Sequence, residues 1–147
     1  MSAVHCSKED TFFEHLCIPS HKPPILKLVK CEIIPEVSEY KLVDTLHGRS
    51  FEGEILTGIN LIVLLTLNEE MTYISDTVAQ TIHAIHYTFL KTIILNVPEL
   101  PDPATIKQLI QTGHFTLTPS ITSTHTHIKS PTYFDQNVLL SLDFHAH

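Results

Sequence analysis

Cationic side chains are scarce: 9 Lys and Arg stand against 16 Asp and Glu, for a net charge of -7 with histidines neutral. No basic stripe offsets that balance, which excludes nucleic acid as the main partner, because phosphate binding rests on clustered Lys and Arg. Only 3 Cys occur, at Cys6, Cys17 and Cys31. They lack the paired CxxC spacing of a zinc ribbon. Their odd number leaves at least one thiol without a partner in its own chain, so reduced thiols and links between chains both stay open. The longest apolar run, "ILTGINLIVLLTL" (Ile55–Leu67), falls short of the ~20 residues a membrane-crossing helix needs. Thr57, Gly58 and Asn60 also interrupt it. The opening residues have no basic start followed by an apolar run, so an export signal is not expected. The expectation is a soluble protein without membrane insertion. No nucleophile elbow, phosphate-cradling loop or dinucleotide fingerprint occurs, so neither enzyme activity nor a cofactor is expected. The missing Trp excludes nothing.

What is present suits a folded domain. Hydrophobic residues make up 43% of the 147 and charged residues 17%, enough for a core and too apolar for global disorder. The first segment, residues 1–22, mixes charge, His and Cys around one apolar cluster, "TFFEHLCI". Then "PSHKPP" breaks regular structure. Residues 1–22 therefore read as an N-terminal arm and 23–147 as a single β domain. Phe12, Phe13, Leu16 and Ile18 are too apolar for a free tail, which makes them candidate contacts to another subunit.

Strand signals dominate from Ile25 onward. "ILKLVKCEII" is rich in branched residues and is expected to stop at Pro35. "HGRSFEGE" reads as a turn. Apolar residues recur at odd positions from Ile55 to Leu67, the period-two pattern of a strand with one buried face. "NEE" (Asn68–Glu70) is then expected to turn the chain, with "MTYISD" returning as a hairpin. Glu52, Glu54, Glu69 and Glu70 are accordingly expected at solvated turns. "QTIHAIHYTFLKTIILNV", "HFTLTPSITSTHTHI" and "YFDQNVLLSLDF" are further strands. One helix is expected near Pro103–Gln111: Asp102 supplies its N-cap, Pro103 its first position and Gly113 its stop. The fold class is mainly β, an antiparallel β-sandwich-like domain with one short helix.

Histidine is abundant, with 11 residues. His83 and His86 would share a face in a helix, but strand geometry puts residues three apart on opposite faces, so they should not chelate. His125 and His127 are two apart and share one face of a strand. They are candidate zinc or nickel ligands if a third ligand approaches.

The order of segments resembles a known family. "IPSHKPPILKLVKCEIIPEV", then "KLVDTLHGRSFEGEILTGINLIVLLTLNEEMTYISD", then "QTIHAIHYTFLKTIILNVP" and "FDQNVLLSLDF" are similar to successive blocks of the SPOCS domain, found in spore coat and exosporium-associated proteins of clostridia and bacilli. The resemblance runs from about Ile18 to Phe144. It implies a non-catalytic, self-assembling structural protein of a spore coat, exosporium or surface appendage, made in the mother-cell cytoplasm, with itself and other envelope proteins as partners. Sheet edges and the arm are the expected contacts. In an oxidising spore surface Cys6, Cys17 and Cys31 become candidates for disulfides between chains, Cys17 with Cys31 foremost. The alternative is a soluble His-rich β domain that binds a metal or ligand.

Overall fold

The computed structural model describes residues 4–44, 48–49, 55–56, 58–99 and 102–147. Its strands are β1 (Val4–Cys17), β2 (Ile25–Asp44), β3 (Gly48–Arg49), β4 (Ile55–Leu56), β5 (Ile59–Ser75), β6 (Ile82–Asn96), β7 (Phe115–Ser130) and β8 (Tyr133–Ala146), with helix α1 (Pro103–Gln111) between β6 and β7. Two antiparallel three-stranded sheets face each other: sheet A in the order β1-β8-β7 and sheet B in the order β2-β5-β6. This is the expected sandwich-like β fold. The short β3–β4 ladder pairs Gly48 with Leu56 and Arg49 with Ile55. Glu52 and Glu54 lie outside the described residues.

The two central strands write the core. Odd residues of β5 and even residues of β8 point between the sheets and are almost all buried. Leu61, Val63, Leu65 and Leu67 on β5 meet Val138, Leu140, Leu142 and Phe144 on β8 in one apolar cluster. Met71, Tyr73 and Phe134 build a second with Leu16, Ile18, Ile25 and Ile85. Helix α1 closes one end of the first cluster with Ile106 and Ile110. Asp102 caps it as the sequence predicts, accepting from the Thr105 backbone N–H and hydroxyl at 2.8 Å each. Those two bonds hold the Asp102 carboxyl below its usual range. Past the helix, Gly113 takes φ +78, the left-handed position that favours glycine.

Three expectations are corrected. Strand β5 runs straight through Asn68–Glu70, which is not a turn, and Glu69 is 1% exposed. The alternation simply continues, with Glu69 occupying an inward position between Leu67 and Met71. Strand β2 does not stop at Pro35 but continues to Asp44. Proline is tolerated there because β2 is an edge strand, where a missing N–H breaks no ladder bond on the open side. The segment expected as an arm is instead mostly a strand of sheet A: β1 pairs with β8 along its whole length, from Val4↔Ala146 to Cys17↔Tyr133. Phe12, Leu16 and Ile18 are buried in the chain's own core, and only Phe13 of the four remains exposed.

The four edges are not alike. β2 and β7 carry register shifts and a proline each, Pro35 and Pro119. Bulges and prolines discourage an edge from pairing with another chain. β1 and β6 have neither. They lie side by side, and side chains cross the seam: Lys8 Nζ donates to Ile94 O at 2.9 Å, and Tyr87 Oη donates to Cys17 O at 3.0 Å.

Candidate functional site

At one level the sandwich is polar from surface to surface. The inner part comes from Glu69 on β5, Gln136 on β8 and Cys31 on β2. The pattern of each strand directs them inward: Gln136 alternates with Phe134 and Val138, and Cys31 stands opposite Met71. Glu69 and Gln136 separate the two apolar clusters. The Cys31 thiol donates to Glu69 Oε2 at 2.7 Å, and Gln136 Nε2 donates to the same oxygen at 2.5 Å. Gln136 Nε2 also lies 3.2 Å from Cys31 Sγ and 3.4 Å from Thr126 Oγ1. Glu69 Oε1 and Gln136 Oε1 are buried without a hydrogen-bond partner among the described residues. Such groups carry a desolvation cost and are few in folded proteins. Burial, then the bond to Glu69, pushes the Cys31 thiol up to about 12. Burial, then the same carboxylate, pushes the Tyr87 phenol up to about 12.

Directly outside, on sheet A, β8 presents Asp135. Register places His15 of β1 on one side of it and His127 of β7 on the other. His15 Nδ1 contacts Asp135 Oδ1, and Lys129 Nζ stands 3.7 Å from Asp135 Oδ2. His125 lies one step along, opposite Asn137. Five of the 11 histidines, His5, His15, His125, His127 and His145, face outward from this sheet. Hydroxyls surround them, including Thr11, Thr118, Ser120 and Ser123. On sheet B the corresponding outer row is Glu32, Glu70 and His86, with His86 Nδ1 3.9 Å from Glu70 Oε2. A shallow cavity of about 170 Å³ opens there between Glu32, Ile34, Asn68 and Thr88.

The strand expected from "TIHAIHYTF" forms, and its histidines part as strand geometry requires. His83 faces inward, its ring 5.7 Å from that of Tyr73, with the Thr81 hydroxyl at 2.8 Å. His86 faces out. His125 and His127 share one exposed face, as expected from their spacing. Sequence reasoning missed Asp135 and His15 as their neighbours. A usable signal existed in the two-residue Pro131–Thr132 turn, which brings the strand of Asp135 back against that of His127. Among the described residues, no group of three or more His, Cys, Asp or Glu is placed so that it could hold a metal ion as the side chains stand.

The cysteines are all free. Cys17 is exposed on sheet A. Cys6 and Cys31 are half-buried and face inward, and burial pushes Cys6 up to about 11. Raised thiol values mean little reactive thiolate near neutral pH. Labelling with a thiol reagent at pH 7.5 should therefore modify Cys17 first, with Cys6 and Cys31 at least about tenfold slower until denaturant is added. Equal rates at all three would show that the inward pair is open to solvent. The foremost expected disulfide, Cys17 with Cys31, asks an inward thiol bonded to Glu69 to reach the surface. Cys17 alone is placed for linking two chains.

No helix among the described residues is long and apolar enough to cross a membrane. No family model, curated protein or solved structure matches this chain.

Proposed function

We propose that this chain is a structural, self-associating module of a bacterial spore envelope, and that copies meet through the outer face of sheet B. One observation carries the assembly reading: Ile34, Ile82, Leu90 and Ile94 stand on that face at 54, 68, 69 and 52% exposure. Apolar surface gathered on one sheet face and rimmed by polar residues marks an interaction site more often than chance exposure does. The occupant is a second copy. The outward side of β6 reads Ile82, Ala84, His86, Thr88, Leu90, Thr92, Ile94, with His86 its one titratable member. A twofold axis beside Leu90 and Ile94 sets apolar surface on apolar surface, with the Glu32–Glu70–His86 row of the same face four residues along β6 from Leu90. This face suits assembly better than the bulged, proline-bearing edges of β2 and β7. The spore setting rests on the resemblance of the ordered segments to SPOCS blocks.

Sedimentation velocity and electron microscopy of the purified chain test the reading. Wild type should form dimers or larger ordered assemblies. Leu90→Glu should weaken association by about tenfold or more while leaving the β-rich circular dichroism spectrum unchanged, since burying an unpaired carboxylate in an apolar contact costs several kcal/mol. A wild-type chain that stays monomeric up to millimolar concentration overturns self-association. If Leu90→Glu assembles like wild type, the sheet B face is not the contact.

A further inference from the structure

The histidine row on sheet A lies on the opposite side of the molecule and is independent of the assembly reading. We propose that this face holds one divalent transition-metal ion above β8, between His15 and His127, with Asp135 as third ligand and His125 completing the set.

Strand register brings the ligands together. Asp135 sits on the middle strand and is paired at Cα level with His15 on one side and His127 on the other. All three point outward: Leu16 beside His15, and Phe134 and Gln136 beside Asp135, point in, and His127 is exposed between the half-buried Thr126 and Ile128. Adjacent strands lie about 4.8 Å apart, so the Cα atoms of His15 and His127 flank that of Asp135 at nearly equal distances, although only the His15 imidazole contacts the carboxylate. A metal above the central strand can then take one nitrogen from each side at the usual 2.0–2.1 Å for zinc and imidazole, and a carboxylate oxygen from below. His125 is two residues from His127 on the same face, the spacing by which a strand presents two imidazoles together. Two or three imidazoles and one carboxylate form a borderline-soft set suited to zinc, nickel or copper rather than to calcium or magnesium.

The side chains are now set for hydrogen bonding, with His15 and Lys129 both on Asp135. Besides Asp135, the His15 ring meets Phe13 edge-on with centroids 4.8 Å apart. His15 is 71% exposed and Lys129 42%, so both can turn by a rotamer change. Asp135 is the anchored member, its side chain 12% exposed, and an anchored carboxylate between two exposed imidazoles limits the rearrangement binding requires. Lys129 need only release one carboxylate oxygen to solvent.

Calorimetric titration of the untagged full chain with zinc chloride at pH 7.5 tests the site, with cobalt absorption reporting coordination. One equivalent should bind per chain, with cobalt showing the intense visible bands of a four-coordinate site. His127→Gln and His15→Gln should each weaken zinc by about tenfold or more. Asp135→Asn should do the same, with each variant's fold checked by circular dichroism. The chain end carries His145 and His147, so the double variant His145→Gln/His147→Gln serves as control and should bind like wild type. No stoichiometric binding at 100-micromolar zinc (about 5.5 kcal/mol of binding free energy) overturns the proposal. So does binding that survives both His127→Gln and His15→Gln, or that disappears in the chain-end control.

Discussion

Removing everything before Pro19 should leave a chain that no longer folds cooperatively. Strand β1 is one of only two partners of β8, the central strand of sheet A. Its loss opens a full antiparallel ladder of 14 residues. It also removes Phe12, Leu16 and Ile18 from the core, where they are 8, 6 and 8% exposed. Burying each such side chain contributes about 1.5–3 kcal/mol, so the three together contribute about 5–9. Total stability of a domain this size is about 5–15 kcal/mol. The deletion should therefore abolish the urea unfolding transition and collapse amide dispersion in NMR. A truncated chain with the wild-type midpoint would mean β1 is dispensable, as a detachable arm would be. Phe13→Ser in the same strand is the internal control. Phe13 is 49% exposed on the outer face, and its loss should change stability by about 0.5 kcal/mol or less.

The same strand shows where sequence reading stops. That "TFFEHLCI" needed a cover was legible, since four large apolar residues in eight do not stay in water. Its cover was not. The partner strand begins at Tyr133, more than 100 residues away, and β1 gives no local sign of preferring its own chain over a neighbour. Helix α1 was legible because its signals are local: a capping Asp102, Pro103 inside, and Gly113 outside. Branched and aromatic content located β6, and period-two alternation likewise located β5 and β8. It failed at Asn68–Glu70, where three polar residues in a row imitate a turn. Counting through them keeps the phase, with Leu67, Glu69 and Met71 all inward. Local sequence cannot say that a carboxylate belongs there, because its partners Cys31 and Gln136 lie 38 and 67 residues distant. His125 and His127 were visible as a pair, yet their neighbour Asp135 depends on hairpin register, and His15 on the third strand.

Gln136→Leu should destabilise the fold by about 3 kcal/mol, and adding Glu69→Leu should restore most of that loss. Among the described residues, Glu69 Oε2 takes two hydrogen bonds, from Gln136 and Cys31, and Oε1 takes none. Replacing Gln136 by leucine strips the shorter of two hydrogen bonds from a carboxyl group that is 1% exposed, and leaving such a buried group short of a partner costs about 1–3 kcal/mol, more where it is charged. Glu69→Leu alone should cost less, about 1–3 kcal/mol, because it leaves a neutral amide and thiol unsatisfied rather than a carboxylate. With both replaced, the two apolar clusters on either side become one, and no carboxylate or amide is left facing them. Apolar replacements of buried polar pairs are often neutral or stabilising. Leu67, Met71, Phe134 and Val138 already line both sides of the gap and would pack against the new side chains. Urea denaturation of the four chains closes the cycle, with a coupling of about 2 kcal/mol or more between positions 69 and 136. Additive losses would mean the two side chains do not act as a pair. A double variant weaker than either single would show that the polar layer stabilises the fold in its own right. The expected recovery instead implies that Glu69 and Gln136 stand at a cost in stability, which directs attention to what the polar layer does at that level of the sandwich. Asp135 follows Phe134 and precedes Gln136 on β8, so the same three residues tie the buried pair to the outer histidine row. If the double variant is stable yet binds zinc more weakly on sheet A, the layer serves to position Asp135.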